Sequence, residues 1–374
     1  MKINKHKLLT ILYVVWVIRP SLLHYSNSVS RSIELLTILI YVIILTFNYR
    51  NQKKSITLWL VITLLSFTLS ISLSSFNNTI VTSDFNELLR PIIWFTVIGL
   101  FKGLGEKSIL KLNIKLCLFA GIIVFLQFFF RDYFSWVYKL YSNYNLYFQQ
   151  RPAGFFYTHT EISLMSLLGI YSVVKLKKTL VKKDLVLIFF FLLSGSLGQS
   201  KSGILMMVSF LFFYFFTNKN STSLTFKAFF IIASVSTLIF LASEFNYIYN
   251  GFIDLFYMRS GNLSIGNRLE DIDITKQKFT ETPTSIIFGN GPLRAYPSIS
   301  YIEITLINVL FRFGIIGLLL YYFPLFFHFR KKEAVIKVLI LCIMIGDITS
   351  NMSETLKAFP IILATLFASK KDQP

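Results

Sequence analysis

Charged residues are scarce in this sequence, at 15% of its 374 residues. A soluble domain carries about a quarter of charged residues, so the scarcity argues against a soluble protein. The 54% of apolar residues excludes a disordered one. Cysteine is also rare, because only Cys117 and Cys342 are present and both lie in apolar blocks. They indicate neither a disulfide framework nor a zinc site.

Several signatures of soluble enzymes are missing as well. The sequence has no Walker A loop, no dinucleotide-binding glycine motif, no HExxH and no G-x-S-x-G. Nucleic acid is not an expected partner, because the basic residues are spread among apolar blocks of membrane-spanning length. The lack of a nucleotide site fits chemistry at the outer face of a membrane, where no nucleotide sugar is available.

Long apolar blocks are the main feature that is present. About 20 apolar residues in a helix cross a bilayer core, so the sequence predicts an all-α polytopic integral membrane protein with about 12 transmembrane helices (roughly 10–13). Block 88–101 is short and contains Arg90-Pro91, and block 301–329 is interrupted by Arg312, which predicts a broken or re-entrant helix plus a full span. The predicted spans are 8–25, 33–49, 56–73, 88–101, 109–130, 158–174, 185–199, 203–217, 226–242, 301–329, 334–349 and 355–369.

The basic residues predict the orientation, since Lys and Arg near helix ends favour the cytoplasmic side. With the amino terminus inside, 23 of the 37 Lys and Arg residues lie in inner loops. The opposite orientation puts the strongest Lys clusters outside. Both termini are therefore predicted to be cytoplasmic, and the whole net charge of +19 then lies on the inner face.

Two long outer loops are predicted within a single transmembrane domain, residues 1–374. Residues 131–157 form an aromatic-rich loop, and residues 243–300 form a large loop before the last three spans. The large loop mixes apolar, acidic and basic residues, so it is expected to fold. Asn267 is predicted to cap a helix that ends near Thr282, and Gly289 to Pro292 predict a turn.

Arginine is concentrated on the predicted outer side. Of the 11 Arg residues, only Arg50 and Arg330 fall inside, whereas the inner bases are nearly all Lys. A guanidinium binds phosphate or carboxylate with two hydrogen bonds, so these arginines suggest recognition of an anion such as a lipid pyrophosphate. Ordinary salt bridges, such as Glu87 with Arg90 three positions on, are the alternative interpretation.

The segment 131–157 is aromatic at 11 of its 27 positions. Aromatic rings anchor membrane proteins at the interface with water. They also stack on the apolar faces of sugars, because they bury a large rigid surface. The sequence leaves open whether this segment is an interfacial belt or a binding surface for glycan or lipid.

A polar stretch opens the span that follows this segment. Thr158-His159-Thr160-Glu161 lies at its predicted outer start. An acid and a histidine at a membrane boundary are costly unless they are paired or functional, and either side chain is a candidate general base. The alternatives are that His159 is a hydrogen-bonded interfacial residue and that Glu161 neutralises Arg151.

Glu303 and Arg312 lie nine residues apart in the block after the large loop. In a continuous helix this spacing is about 900° of rotation and roughly 13 Å of rise, so they cannot pair unless the helix breaks. Each then needs another partner or faces a polar cavity. Asp347 and Glu354, near the outer ends of the last two spans, are candidates for the same cavity.

These features together resemble the Wzy-type O-antigen and capsule polymerases of the O-antigen polymerase/ligase superfamily. The resemblance rests on the many apolar helices, on the large outer loop before the last few, and on four short elements. Lys201 stands where the family commonly has Arg, and the stretch from Tyr296 to Glu303 has no His where the ligase branch has one, which favours a polymerase. The four elements are Arg151 to Phe155, Ser200-Lys201-Ser202-Gly203, Phe288 to Pro292, and Gly314 to Gly317.

The resemblance implies glycosyl transfer at the outer face of the bacterial inner membrane. The donor would be a growing glycan on undecaprenyl pyrophosphate, and the acceptor a sugar hydroxyl of another lipid-linked repeat unit. A flippase and a chain-length regulator are implied partners, and the scheme requires no metal or cofactor. The implied roles are pyrophosphate binding by Arg90, Arg151, Arg294 and Arg312; a general base at Glu303, Glu161 or His159; and glycan or lipid binding by Tyr141, Tyr144, Tyr147, Phe155, Tyr157, Lys201 and Arg268.

Two rival functions remain open. A transporter, such as a flippase for lipid-linked oligosaccharides, fits twelve spans but should show two matched halves and broken helices at the midplane. A structural membrane protein does not explain nine arginines on one side. The absence of clear halves favours the enzyme.

Overall fold

The computed structural model describes residues 5–19, 36–44, 54–74, 86–142, 145–177, 180–217, 272–280, 282, 284–291, 302, 304–329, 333–350, 353, 355 and 357–368. Every regular element in these ranges is a helix, which confirms the all-α class. The helices are α1 Lys5–Ile18, α2 36–44, α3 Lys54–Ser74, α4 Asn86–Phe101, α5 Glu106–Phe129, α6 Ser135–Tyr141, α7 Asn145–Phe148, α8 His159–Leu176, α9 Lys182–Leu197, α10 Lys201–Thr217, α11 272–280, α12 Ser285–Phe288, α13 Thr305–Phe329, α14 Ala334–Thr349 and α15 Ala358–Phe367.

Membrane-spanning length is reached by three of the described helices. The long and apolar segments are Lys54–Leu73 in α3, Glu106–Phe129 in α5 and Thr305–Phe327 in α13. Helices α1, α10 and α15 are apolar but shorter. The chain therefore has helices suited to a bilayer, whereas the number of twelve spans stays a prediction.

Most predicted spans coincide with helices in the described ranges. Block 334–349 has the bounds of α14, and the short block 88–101 lies within α4. In block 8–25, α1 ends at Ile18, as expected shortly before Pro20 because the residue before a proline is disfavoured in a helix. Residues 20–25 of that block lie outside the described residues. Block 226–242 lies outside the described residues.

The two predicted loops contain more helix than expected in their described parts. Segment 131–157 includes α6 and α7, so it is a folded segment. In the large loop, α11 lies within the predicted helix that ends near Thr282, and the unpredicted short helix α12 ends in the expected turn at Gly289. The predicted cap, Asn267, lies outside the described residues.

Helix α8 lies at the centre of the packing, since residues 160–174 are all buried. Small side chains bring its neighbours close. A methyl group added at Gly169 would lie 3.0 Å from Cβ of Cys117 on α5 and 2.9 Å from the ring of Phe191 on α9. The resulting core is one large apolar cluster, with two small clusters of buried residues around Ile302 and Phe311 and around Tyr138, Leu146 and Ala153.

The two ends of the bundle differ in their polar contacts. At one end the Lys175 ammonium contacts the carboxylate of Glu333 and lies 3.5 Å from that of Glu106. These three residues are predicted to share the inner side, and the structure brings them together. We call the other end, where α13 starts and α14 ends, the site end. There the Thr305 hydroxyl donates to the Ser350 carbonyl at 3.1 Å.

Candidate functional site

The turn after α7 is held by a buried glutamine at the end of α5. Gln127 is 1% exposed, and its Oε1 accepts hydrogen bonds from the amides of Ala153 at 3.1 Å and Gly154 at 2.8 Å. A buried acceptor that receives two backbone donors leaves neither donor unsatisfied. Gln127 thus fixes the backbone of the Arg151 to Phe155 element, which leads into the predicted span 158–174.

Aromatic rings and a buried lysine surround the second half of the same turn. The ring of Phe155 lies 5.1 Å from that of Tyr141. The Lys357 ammonium, in a residue only 1% exposed, donates to the Phe155 carbonyl at 2.5 Å. It also lies 5.1 Å from the Phe156 ring centroid, within the range of a cation–π interaction.

Helix α8 starts with the polar stretch predicted from the sequence. Thr158 caps it, since its hydroxyl accepts from the Glu161 amide at 3.3 Å. The Glu161 carboxylate, in a residue 3% exposed, accepts from the Tyr157 amide at 2.9 Å, and the amides of Lys357 and Ala358 also donate to it. The Lys357 charge acts on the same carboxylate. Glu161 therefore joins the starts of α8 and α15.

His159 is the first residue of α8 and has Arg151 as a charged neighbour. The guanidinium of Arg151 exerts a direct electrostatic effect on the imidazole. Both side chains are half-buried. The structure therefore places one candidate pyrophosphate ligand near one candidate general base. The charge of Lys357 acts on the Glu161 carboxylate, and the alternative that Glu161 neutralises Arg151 stays a prediction.

The element Ser200 to Gly203 forms the start of α10. The Ser200 hydroxyl accepts from the Gly203 amide at 3.2 Å, as a helix N-cap does. Gly203 packs so closely on α8 that an added methyl group would lie 2.2 Å from Cβ of Ser163. Lys201, half-buried at the first position of α10, is thereby held at the site end beside the start of α8.

Helix α13 is broken at Gly314, where φ is +65° and ψ is −169°. The turn after α12 inserts at this break. The Asn290 amide donates to the Phe311 carbonyl at 2.7 Å, and the Gly291 amide donates to the Arg312 carbonyl at 3.0 Å. In a continuous helix these carbonyls accept from residues four positions later. The described part of the Phe288 to Pro292 element, up to Gly291, is thus in direct contact with the Gly314 to Gly317 element, which was noted separately in the sequence.

Arg312 lies immediately before this break. Its carbonyl also accepts from the Ser70 hydroxyl of α3 at 2.5 Å, and the Phe313 ring stacks on the Phe67 ring at 3.7 Å. The backbone of Arg312 is therefore fixed from two sides, by the large loop and by α3. Arg90 is half-buried on α4, the helix that packs through Trp94 on Tyr321 of α13.

Asp347, named as a candidate for the polar cavity, is fully buried near the end of α14. Its carboxylate accepts from the Tyr322 hydroxyl at 2.8 Å and from the Ser353 amide at 2.7 Å. The Ser353 hydroxyl donates to the Tyr321 hydroxyl at 3.2 Å. These bonds tie the end of α14 to α13, so within the described residues Asp347 stabilises the helix packing at the site end.

Most of the predicted site residues that are described lie in two groups at the site end. The first group surrounds the starts of α8 and α10, and the second is the break that follows Arg312. Glu303, Tyr144, Arg268 and Arg294 lie outside the described residues, so their predicted roles stay predictions. The first group contains Tyr141, Arg151, Phe155, Tyr157, His159, Glu161 and Lys201. Tyr147 lies beside it, with its hydroxyl donating to Asp132 at 2.9 Å.

Burial changes the acid–base behaviour of the aromatic segment. It raises the pKa of the Tyr138 and Tyr141 hydroxyls above the ordinary value of 10.0, because a phenolate is poorly solvated there. Both groups stay protonated at neutral pH. They therefore serve this segment as neutral phenols and are unsuited to take a proton.

Sequence reasoning missed two residues that hold this site, Gln127 and Lys357. Gln127 looks like the polar end of an apolar block, and Lys357 lies at the start of the predicted span 355–369. A signal was present in each case, because an amide or ammonium next to a membrane span is costly without partners. The partners themselves come from distant segments and were not visible in the sequence.

The chain has no match in a comparison with protein-family models, nor in a comparison with curated proteins.

Proposed function

We propose that this protein is a membrane glycosyltransferase, a polysaccharide polymerase that joins undecaprenyl-pyrophosphate-linked repeat units into O-antigen, capsule or exopolysaccharide. The observation that carries the proposal is the contact between the Phe288 to Gly291 turn and the break at Gly314. Two elements of the resemblance, far apart in sequence, meet next to a candidate pyrophosphate ligand, Arg312. A third element, Arg151 to Phe155, is held rigidly at the same end.

The topology of the proposal is twelve spans with both termini in the cytoplasm and the site facing the periplasm or the outside. Its support is the sorting of polar residues between the two ends of the bundle. Lys175, Glu106 and Glu333 meet at one end, whereas at the other the Glu161 carboxylate accepts from the backbone amides of Lys357 and Ala358. The basic loops favour the first end as the cytoplasmic one.

The proposed reaction is a displacement at the anomeric carbon of the donor. The acceptor hydroxyl oxygen forms a bond to that carbon, and the bond from the carbon to the pyrophosphate oxygen breaks with its electron pair leaving on undecaprenyl pyrophosphate. The acceptor proton passes to a general base. Arginines stabilise the leaving group as its negative charge increases, and Arg151 and Arg312 are the described candidates whose backbones are firmly held.

The candidates for the general base differ in how their side chains are engaged. Glu161 already accepts three backbone hydrogen bonds and faces Lys357, so its carboxylate is committed to structure. His159 lies at the same helix start beside Arg151. The neighbouring guanidinium disfavours a second positive charge on the imidazole, so neither described candidate is preferred, and Glu303 remains the third.

A flippase for lipid-linked oligosaccharides is the second candidate function. The broken helix α13 favours it, since transporters use discontinuous helices to form substrate sites. Among the described residues with a positive φ, however, Gly314 alone lies inside a helix, so α13 has no broken counterpart there. A ligase is the third alternative, and the polymerase remains the better supported of the three.

Deletion of the gene separates polymerase from flippase. We expect cells without the protein to keep single repeat units on their surface lipid or lipid carrier and to lose long chains. Loss of a flippase instead removes even single capped units. Electrophoresis of the extracted surface glycan, with mass spectrometry of the lipid carrier, distinguishes these results. Unchanged chain length in the deleted strain would refute the polymerase.

Replacing Arg151 by lysine tests the role of its guanidinium. Arg151→Lys keeps the charge but loses the bidentate donor pair, so we expect turnover of lipid-linked substrate by purified protein to fall by about 100-fold. Arg19→Lys is the matched control, because Arg19 is an arginine at the end of α1 whose guanidinium lies 3.9 Å from the Trp16 ring centroid and which is not among the four arginines assigned to the pyrophosphate. Equal turnover in both variants would remove Arg151 from the mechanism.

A further inference from the structure

A cleft of about 390 Å³ lies at the end of α5, beside the proposed site. It is lined by residues 127–133 and by Gln150. Its volume falls within the range of small-molecule sites, about 300–1,000 Å³. None of the roles assigned above involves its exposed lining, so the cleft has no function yet.

The aromatic part of the lining is exposed. Tyr133 is 81% exposed, Phe129 67% and Phe130 53%. Rings of this kind offer flat apolar faces, which stack well on flat apolar ligand surfaces. The rings alone would suit a lipid chain as well as a sugar, so the polar lining decides between them.

The polar part of the lining consists of the planar groups of Gln127, Arg131, Asp132 and Gln150. Gln127 is buried, and its Oε1 is held by two amides, whereas its Nε2 makes only a long 3.5 Å contact with the Gly154 carbonyl, which leaves a donor for a ligand. The Asp132 Oδ1 accepts from the Tyr147 hydroxyl at 2.9 Å and contacts Arg131 Nε at 3.5 Å. The Asp132 side chain nevertheless stays 76% exposed.

Gln150 occupies an unfavourable backbone conformation at the edge of this cleft. Its φ is +56°, and the Arg151 amide donates to the Leu146 carbonyl at 2.9 Å while the Gln150 amide donates to the Tyr147 carbonyl at 3.2 Å. This is the Schellman pattern, in which glycine usually takes the left-handed position. A glutamine there is strained, and residues held in strain often have a function. Its side chain lines the cleft.

We propose that this cleft binds a neutral sugar ring of the glycan. Exposed rings suit the C–H face of a pyranose, and two carboxamides with a carboxylate suit its hydroxyls. The charges of Arg131 and Asp132 in the lining balance each other, so the cleft has no net charge to favour an ionic ligand, and the cluster of polar groups is unsuited to an acyl chain. The proposal rests on the proposed function for the identity of the glycan.

Direct binding of simple glycosides tests this proposal. The probes are the methyl glycosides of glucose, galactose, mannose, rhamnose and N-acetylglucosamine, added to the full chain in nanodiscs and followed by saturation-transfer NMR. We expect transfer to the ring C–H protons of at least one probe, and about tenfold weaker binding in Tyr133→Ala. Phe148→Ala is the matched control, because Phe148 is 68% exposed on the neighbouring α7 but lies outside the lining.

Gln150→Gly separates binding from folding. Glycine relieves the left-handed strain, so this variant should be at least as stable as the wild type and should still lose binding about tenfold if the side chain contacts sugar. Wild-type binding in Gln150→Gly would overturn the proposal, as would the absence of transfer to every probe. A lower affinity of Tyr133→Ala for lipid vesicles, with glycoside binding unchanged, would also overturn it and identify an interfacial anchor.

The outcome for the cleft is independent of the outcome for the polymerase. Glycoside binding in the wild type with unchanged glycan length in the deleted strain would keep the cleft and refute the polymerase. Loss of long chains on deletion, with no glycoside binding, would keep the polymerase and refute the cleft.

Discussion

Gly314→Ala and Gly289→Ala are each expected to detach the large loop from helix α13 and to lower the free energy of unfolding by about 3 kcal/mol or more. A methyl group at Gly314 would lie 2.3 Å from the Ile287 carbonyl oxygen, and one at Gly289 would lie 2.2 Å from the Arg312 carbonyl oxygen. Both obstacles are backbone atoms, so no side-chain rotation relieves them. Both glycines also have a positive φ, which strains any other residue.

The measurement is the thermal unfolding midpoint of the purified chain in detergent, together with glycan chain length in cells. Gly103→Ala is the control, because its added methyl group would lie 3.5 Å from the Leu9 side chain, at ordinary contact distance. The double variant adds a sharper test. Since either substitution breaks the same contact, Gly289→Ala with Gly314→Ala should cost little more than one of them alone. Additive costs, or midpoints equal to that of Gly103→Ala, would show that this contact does not support α13.

The helices themselves were largely predictable from the sequence, for a local reason. The length of an apolar run predicts the length of the helix directly. Helix α14 has the predicted bounds 334–349 because the polar residues Glu333 and Ser350 lie at the two ends of its apolar run. The break in the block 301–329 was also expected. Its position was not, because Arg312 was taken as the interruption whereas the backbone breaks at Gly314, where the turn from Gly289 enters.

The contacts that form the candidate site were not predictable, because they join distant segments. The sequence marks the turn at Gly289 and the glycine at Gly314, but apolar periodicity carries no information that one inserts into the other. The same holds for Lys357, which lies about 200 residues from the carbonyl of Phe155 that it contacts. For Glu161 the sequence offered Arg151 as a charged neighbour, whereas the fold also brings the charge of Lys357 to act on its carboxylate.

Lys357, whose charge acts on the buried carboxylate of Glu161, gives the second large expected effect. Lys357→Met should lower the free energy of unfolding by about 3–5 kcal/mol, since it removes the positive charge that acts on a carboxylate in the core. The same change also removes the ammonium that donates to Phe155, so the Arg151 to Phe155 turn should loosen and glycan polymerisation should fall. Lys139→Met, at an exposed lysine of α6, should change neither property.

Glu161→Gln combined with Lys357→Met distinguishes a charge pair from simple packing. Glutamine keeps an oxygen for the Tyr157 amide and removes the buried charge, so the double variant should be more stable than Lys357→Met alone, as expected when both ions of a buried pair are replaced together. Activity should behave differently. If Glu161 and Lys357 only position the turn, the double variant recovers part of the polymerisation along with its stability. Recovery of stability without any activity would instead make one of the two charges part of the chemistry, and additive destabilisation would show that the two side chains do not form a pair.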